Sequence, residues 1–407
     1  MKNLILLITI MLVAACKQQT AVTVSDGIQI SGNNTSGGAY FTNDQDGNPV
    51  LCWTGGDPGS EQLHYSIYNK SANSFGPAVV VPSKGISFSP ETMNKVAFRK
   101  DGAIIAVFSR KQPTDQNKYA GSLLFSQSFD NGKTWTTENF VHTDTMPDNS
   151  RSYFDIATLP DGEVGIVWLD GRLKRGRDGS SLFFTKTNGR NGLLPDKLLA
   201  ETVCQCCRTD IHADAQGNVH VVYRDIDQAL KGQVRDFAHI ISNDNGNTFS
   251  SPVKISNDNW LVDGCPHTGA SLGSRNGVTQ IVWYTAGGVA GLYTTQSSDN
   301  GKTFRPREFV SESGRHPQMV LSSQHTMIVW QESRATTASV SQHHGHHADA
   351  TGEAVMLQVK DVSTGKMNKY KIDDAGEFPV ITTVNESNVI VAYTKSNKVI
   401  INAITVN

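Results

Sequence analysis

Charge is scarce in this sequence. Asp, Glu, Lys and Arg together make up 18% of the 407 residues, and the formal net charge is −2. A protein that binds nucleic acid through its phosphates usually carries a strongly basic face, and this composition offers no such face. We therefore expect no nucleic-acid partner.

Helical periodicity and long apolar runs are also missing. Beyond the first fifteen residues, no run approaches the ~20 apolar residues that cross a bilayer as a helix. Apolar residues seldom recur with a helical period, and neither a phosphate-binding glycine loop nor a nucleophile elbow stands out. Glycine is abundant, with 36 residues. The composition favours many short strands joined by tight turns.

The first residues resemble the leader of a bacterial lipoprotein. A basic residue precedes the apolar run Leu4–Val13, and the sequence Val-Ala-Ala-Cys that ends at Cys16 resembles a lipobox. The resemblance implies cleavage before Cys16 and a lipid on this cysteine, and Lys17 implies sorting to the outer membrane of a Gram-negative bacterium. An ordinary signal peptide or an uncleaved anchor is the alternative. We expect a leader over residues 1–16 and one domain over residues 17–407, in the periplasm or outside the cell.

An eight-residue motif with the pattern Ser-x-Asp-x-Gly-x-Thr-aromatic occurs three times. The copies cover residues 128–135, 242–249 and 297–304, so their aspartates lie 114 and 55 residues apart. Asp hydrogen-bonds its own backbone and Gly adopts positive φ, which predicts a tight turn with the aromatic ring packed beneath it. The spacing indicates a structural repeat of about 55 residues.

A second pattern consists of a strand, a Gly turn and a strand that ends in an aromatic residue. The aromatic lies six residues after the glycine in five copies, and two further copies lack the glycine. The five pairs are Gly47–Trp53, Gly102–Phe108, Gly162–Trp168, Gly217–Tyr223 and Gly277–Trp283, and the other copies cover residues 325–330 and 388–393.

These seven hairpins predict an all-β fold, a single propeller of seven blades, with six blades as the alternative. A third strand follows each hairpin, and the eight-residue motifs lie between third and fourth strands. The last blade lacks an outer strand, which the segment Ala21–Ile30 can supply to close the ring.

The eight-residue motif resembles the Asp box, the bacterial neuraminidase repeat of sialidase-superfamily β-propellers. The blade pattern extends this resemblance over most of the chain. Asp boxes are structural turns that occur in enzymes and in binding proteins alike, so the resemblance implies a fold and leaves the activity open.

Strand counting divides the loops between two faces. The Gly turns and the Asp boxes share one face, while the loops between second and third strands share the other with the blade-to-blade connections. The unusual segments all fall on this second face. They are 204–208 before blade four, 264–267 before blade five and the insertion 341–347. We expect function at this mouth of the propeller.

Four cysteines at this mouth admit two interpretations. Cys16 is assigned to the lipid and Cys52 to the interior of a strand, which leaves Cys204, Cys206, Cys207 and Cys265. An even set in a periplasmic protein predicts disulfides, with Cys265 bonded to one of the other three. The alternative is a soft-metal site for copper or zinc.

Histidines extend the metal hypothesis. His267 lies two residues after Cys265, and four more histidines form a loop that is either a metal-capture segment or a solvated loop. The predicted metal ligands are Cys204, Cys206, Cys207, Cys265, His267, His343, His344, His346 and His347. Redox state decides which form is populated if disulfide and metal site coexist.

The resemblance to sialidases implies a different site. Sialidases grip a substrate carboxylate with three arginines, whose planar forks bind it bidentately, and use a Tyr–Glu pair and an Asp in catalysis. The superfamily's Phe/Tyr-Arg-Ile-Pro signature is absent, and the nearest string, 98–101, runs into a Gly turn on the opposite face. The candidate catalytic residues are Arg224, Arg235, Asp170, Asp225, Tyr284 and Glu332, with Arg151, Arg208, Arg315 and Asp236 as further parts.

Three functions follow from these patterns. The favoured one is ligand binding at the mouth, with metal handling or redox-linked recognition at the cysteines. The second is a sialidase-like hydrolase or a lyase that acts on anionic glycans, so whether the protein is an enzyme stays open. The third is a scaffold that binds proteins and uses its cysteines as staples. We expect a monomer that is attached to the membrane by its lipid.

Overall fold

The computed structural model describes residues 22–89, 91–173, 179–227, 233–262, 264–333 and 353–407. This part of the chain forms seven antiparallel sheets, which are the blades of one propeller. Its only helical segment is the 3-10 turn Gly171–Leu173, so the described residues include no helix that could cross a membrane. The predicted seven-bladed all-β fold is confirmed.

Each blade is an antiparallel meander of four or five strands. Blade one consists of Thr35–Asn43, Pro49–Gly56, Gln62–Asn69, Ser74–Phe75 and Val79–Val81. Blade two consists of Lys95–Phe98, Ile104–Lys111, Gly121–Ser128 and Asn139–Phe140. Blade three consists of Arg151–Thr158, Val164–Asp170, Ser180–Lys186 and Lys197–Val203. Blades four and five consist of Asp210–Ala213, Val219–Arg224, Phe237–Ser242 and Val253–Lys254; and Ser271–Arg275, Val278–Thr285, Gly291–Ser297 and Glu308–Ser311. Blade six consists of Gly314–Leu321, His325–Ser333, Glu353–Asp361 and Met367–Asp373. Blade seven consists of Glu377–Thr383, Asn388–Lys395, Lys398–Val406, Val22–Val24 and Ile28–Gln29.

The first strands surround the propeller axis. Each one contacts the first strand of the next blade, and Thr35–Asn43 of blade one contacts Glu377–Thr383 of blade seven. At the outer edge, Val22–Val24 and Ile28–Gln29 pair with the last strand, Lys398–Val406. The N-terminal segment therefore closes the ring, as predicted.

The core lies between the blades. The second strand of blade three, Val164–Asp170, is buried along its whole length, as expected for a strand with a neighbouring blade on either side. Trp168, Trp283 and Trp330 are among the largest fully buried side chains. These are the aromatic residues that end the hairpin motif, so the repeated aromatic positions of the sequence are core positions of the fold.

The three eight-residue motifs form turns with the same hydrogen bonds. In the first copy, Thr134 donates to Asp130 through its backbone N (2.8 Å) and its Oγ1 (2.6 Å), while Gly132 N donates to the Ser128 Oγ (2.8 Å). The other copies repeat these contacts. The motif thus acts as a structural turn.

The turn glycines also connect successive blades. Gly132, Gly246 and Gly301 have φ of 80°, 78° and 74°. A Cβ at these glycines would lie within 2.4 Å of side-chain atoms of the preceding blade. Those side chains are Tyr65, Phe184 and His239, respectively. Glycine is required here because the backbone lies directly against the neighbouring ring.

Candidate functional site

Backbone strain is concentrated at one mouth of the propeller. Gly38, Tyr153, His316 and Phe378 occupy β-bulges in the first strands of blades one, three, six and seven. All four have positive φ, between 50° and 64°, and His267 before blade five has φ of 49°. Every other described non-glycine residue with positive φ is Asn or Ser. Large side chains rarely adopt this conformation, and such strain is typical of functional sites.

The bulges at Gly38, His316 and Phe378 border a small hollow that is open to solvent. The Nδ1 of His316 lies 2.6 Å from Oε1 of Glu91, and its ring contacts Phe378 edge-on with centroids 4.6 Å apart. Oε2 of Glu91 accepts a hydrogen bond from Gly269 N at 2.8 Å. Burial opposes ionisation of Glu91, but the charge of Arg208 and the bond from His316 hold its pKa below the usual value.

Arg208 forms another wall of the hollow. It is buried, and its Nη2 donates to the carbonyls of Ala270 (3.1 Å) and Pro317 (3.3 Å). Its guanidinium also faces the side-chain amide of Gln318. When this amide is oriented with its oxygen towards Arg208, the oxygen accepts hydrogen bonds from the guanidinium. These contacts hold a positive charge beside Glu91.

Four polar side chains lie on the first strands of blades one to four. Lys95 Nζ contacts Asp155 Oδ1 at 2.8 Å, and the Tyr40 hydroxyl donates to the same oxygen at 2.9 Å. Burial and the charge of Asp155 raise the pKa of Asp210 to about 7. These four residues occupy equivalent register positions in blades one to four. Sequence reasoning missed them, although each lies seven residues before a turn glycine.

The cysteine cluster lies next to the hollow, in the connection that enters blade four. Cys204, Cys206 and Cys207 are 1–3% exposed. The Sγ of Cys204 lies 3.6 Å from that of Cys206 and 3.7 Å from that of Cys207. Cys206 also belongs to a second group, with Cys265 and His267, in which the ligand atoms lie within 4.8 Å of one another. The structure therefore brings together the five cluster residues predicted from the sequence.

The predicted disulfide is wrong. All five described cysteines, including Cys52, are free thiols, and the separations in the cluster far exceed an S–S bond of about 2.05 Å. Two arginines contact these sulfurs: Arg224 Nε donates to Cys207 Sγ and Arg235 Nη1 donates to Cys204 Sγ, both at 3.3 Å. Donors of this kind stabilise a thiolate.

The cysteine thiols of the cluster differ in pKa. Hydrogen bonds from Cys206 and Cys207, aided by the two arginines, hold the pKa of Cys204 well below that of a free thiol. The Cys206 contact lowers the pKa of Cys265 to about 7, while burial raises the pKa of Cys207. The ring of Tyr153 packs against this cluster, and burial raises the pKa of its phenol. Tyr153 thus contributes an apolar ring to the surroundings of the cysteines.

Arg224 and Arg235, proposed from the sequence as substrate-binding arginines, brace this cluster. Besides its bond to sulfur, Arg224 donates to the carbonyls of Arg235 and Tyr284 at 2.9 Å. Its guanidinium also lies 4.0 Å from the ring centre of Phe237. Arg235 donates its second Nη to Gln233. Both side chains are buried.

The remaining catalytic candidates have partners within the protein. Asp170 is fully buried and accepts from the Trp168 indole (3.0 Å) and from Arg172 (2.7 Å). Glu332 accepts from the hydroxyls of Ser311 and Ser313 and from the Trp330 indole.

Asp225 and Tyr284 are the last two candidates. Burial raises the pKa of Asp225, and the guanidinium of Arg315 lies 3.6 Å from the ring centre of Tyr284. The charges of Tyr284 and Glu332 both act on Arg315, so these two candidates lie near one guanidinium. Cys16 and the histidines 343, 344, 346 and 347 lie outside the described residues.

Solved structures resemble this propeller, whereas no protein-family model and no curated protein sequence matches the chain. Polysaccharide lyase Uly1 has a TM-score of 0.54 at 10% identity, over 91% of this chain and 89% of that chain. A protein of unknown function from Dyadobacter fermentans has a TM-score of 0.50 at 14% identity, over 79% and 97%. The K499G mutant of NanB sialidase from Streptococcus pneumoniae has a TM-score of 0.47 at 10% identity, over 91% and 85%.

The shared feature is the fold. Identities of 14% or less show a common fold and carry no information on activity. The site has to be interpreted from its own residues.

Proposed function

We propose that this protein binds a soft metal ion at the mouth of its propeller. The ligands come from Cys204, Cys206, Cys207, Cys265 and His267. The observation that carries the proposal is the convergence of four sulfurs and one imidazole, from two successive blade connections, into two overlapping groups of ligand atoms. Thiolates and imidazole are the ligands that copper(I) and zinc(II) prefer.

The surroundings of the cluster support this proposal. Three of its cysteines are buried away from water, and two arginines compensate thiolate charge. We assign the protein to metal handling at the cell envelope, with the loop of His343, His344, His346 and His347 as the capture segment.

Elemental mass spectrometry on the untagged full chain, extracted in mild detergent, tests the proposal together with a free-thiol count. We expect copper or zinc in the protein and its loss in a Cys206→Ser/Cys207→Ser variant. Cys52→Ala is the matched control, because that thiol is buried elsewhere and its pKa is raised to about 12 by burial. A reduced protein that retains neither metal after anaerobic loading contradicts the proposal.

Lipid attachment at Cys16 and an outer-membrane location complete the proposed function. Radiolabelled palmitate supplied to cells that produce the protein should label the wild-type chain and leave Cys16→Ala unlabelled. Labelling that survives the substitution contradicts the anchor.

The hollow favours a second candidate, chemistry on an anionic glycan. Glu91 and His316 form a hydrogen-bonded acid–base pair there, Arg208 supplies a positive charge, and Tyr153 and His316 have strained backbones. Uly1, which shares the fold, is a polysaccharide lyase. The test is a screen of sialosides and uronic-acid polymers. Turnover should be lost in His316→Ala and kept in His64→Ala, and turnover in both variants contradicts this site.

A further inference from the structure

We propose that the cysteine cluster holds two copper(I) ions, with the sulfur of Cys206 as the bridge between them. This rests on the proposed function, that the cluster binds a soft metal. The inner ion takes the sulfurs of Cys204, Cys206 and Cys207. The outer ion takes Cys206, Cys265 and His267.

The geometry separates the ligands into two sets of three. Cys206 is the one residue common to both groups. Among the described residues, no group contains all four cysteine sulfurs within 4.8 Å of one another. A tetrahedral zinc site made of four cysteines requires that proximity, since metal–sulfur bonds of ~2.3 Å place every pair of sulfurs about 3.8 Å apart.

The inner set has dimensions suited to one three-coordinate ion. The Cys204 sulfur lies 3.6 and 3.7 Å from its two neighbours, and an ion with bonds of ~2.3 Å fits between sulfurs about 4 Å apart. Structural zinc is almost always four-coordinate, whereas thiolates select copper in its monovalent state. Monovalent copper accepts three ligands.

Charge also favours two copper(I) ions over one. Four thiolates carry four negative charges, and the guanidinium groups that donate to Cys204 and Cys207 carry two positive charges. One copper(I) would leave a net negative charge in a largely buried site, which is unfavourable. Two copper(I) ions bring the total to zero. Binding forms copper–sulfur bonds and releases the thiol protons, without a change of oxidation state.

Cys206 is the sulfur left open for a bridge. Arginines donate to Cys204 and Cys207, and the hydrogen bonds of the described residues include no arginine donor to Cys206. Its unshared lone pairs can therefore serve two ions. Cys265 is half-buried and His267 is exposed, so the outer ion should exchange with solvent ligands more readily than the inner ion.

Anaerobic titration of the reduced full chain with copper(I), in competition with a chromogenic chelator, counts the ions that are retained. We expect two equivalents for the wild type and for Cys52→Ala. Cys265→Ser and His267→Ala should each retain one equivalent. Cys206→Ser should retain less than one. X-ray absorption of the loaded wild type should show a copper–copper scattering path.

The outcomes separate this inference from the proposed function. A wild type that retains one equivalent of copper, or one zinc ion in preference to copper, overturns the two-ion site and leaves metal binding intact. Two equivalents in Cys206→Ser overturn the bridge, and two equivalents in His267→Ala or Cys265→Ser overturn the outer ligand set. A wild type that retains no metal overturns both proposals.

Discussion

The guanidinium of Arg224 lies against the sulfur of Cys207, with Nε donating across 3.3 Å. The arginine ends the second strand of blade four, and the cysteine lies in the connection that enters that blade. The same guanidinium reaches the carbonyl of Tyr284 in blade five. One side chain thus joins the candidate metal ligands to the packing between two blades.

Replacement of Arg224 by Met should reduce the free energy of unfolding by about 3 kcal/mol or more. It leaves the carbonyls of Arg235 and Tyr284 buried without a donor, and each such group costs about 1–3 kcal/mol. Urea denaturation followed by tryptophan fluorescence measures the change. Arg305→Met is the control, because Arg305 is exposed and should shift stability little. Equal shifts in the two variants would contradict a bracing role for Arg224.

Two glycines with the same backbone conformation should respond differently to Ala. Gly301 and Gly277 have φ of 74° and 75°. A Cβ at Gly301 would lie 2.2 Å from the His239 ring, whereas a Cβ at Gly277 would meet nothing within 4 Å.

Both variants incur the strain of positive φ, about 1–2 kcal/mol. Gly301→Ala should lose about 1–3 kcal/mol more from overpacking. Chemical denaturation of the pair isolates that difference. The interpretation of the turn as a contact between blades fails if the two variants are equally stable.

Mild acid should destabilise the fold through buried histidines. Burial, aided by the charge of His220, lowers the pKa of His239 to about 3. An unfolded histidine takes up a proton near pH 6.5. Between these values the unfolded chain binds more protons, so the stabilisation is complete above pH 6.5 and is lost as the pH falls towards 3.

His239→Gln should therefore reduce the pH dependence of the free energy of unfolding below pH 6.5. The largest expected change is about 1.4 kcal/mol per pH unit for one proton. Urea titrations at several pH values between 7.5 and 4.5 provide the comparison. An unchanged slope would mean that His239 is protonated in the folded protein.

Loss of the closing strands should cause the protein to aggregate. The segment before residue 31 supplies two strands that cover the edge of Lys398–Val406, and an uncovered edge can pair with other chains. Size-exclusion chromatography should show large species for a chain that starts at residue 31. A chain that starts at residue 21 keeps both strands and is the control. A monodisperse monomer from the shorter chain would contradict the role of these strands.

The repeat pattern predicted the blades because it records local requirements. A positive-φ glycine and a buried aromatic six residues later are needed in each hairpin, so Gly162 and Trp168 locate a blade without any tertiary information. The proximity of Cys206 and Cys265 followed from the same strand counting, since successive blade connections meet at one mouth.

The axial residues could not be predicted in the same way. Bulges change the direction of the first strands, and nothing in the pattern around Tyr153 or His316 indicates a bulge. Charged loop residues were ambiguous for another reason. The sequence alone does not distinguish a structural aspartate such as Asp170, which is buried and bonded to Trp168, from a carboxylate that binds a substrate.

Closure by strands from opposite ends of the chain also determines when the molecule can become complete. Val22 pairs with Val406, so the earliest described residue waits for nearly the last one to be synthesised. Until then, blade seven has no outer edge and the ring is open. Folding can begin blade by blade during synthesis, but the ring can close only after Lys398–Val406 has been synthesised and has emerged from the ribosome. A truncated product would therefore keep six blades and an exposed seam, which makes it a substrate for proteolysis.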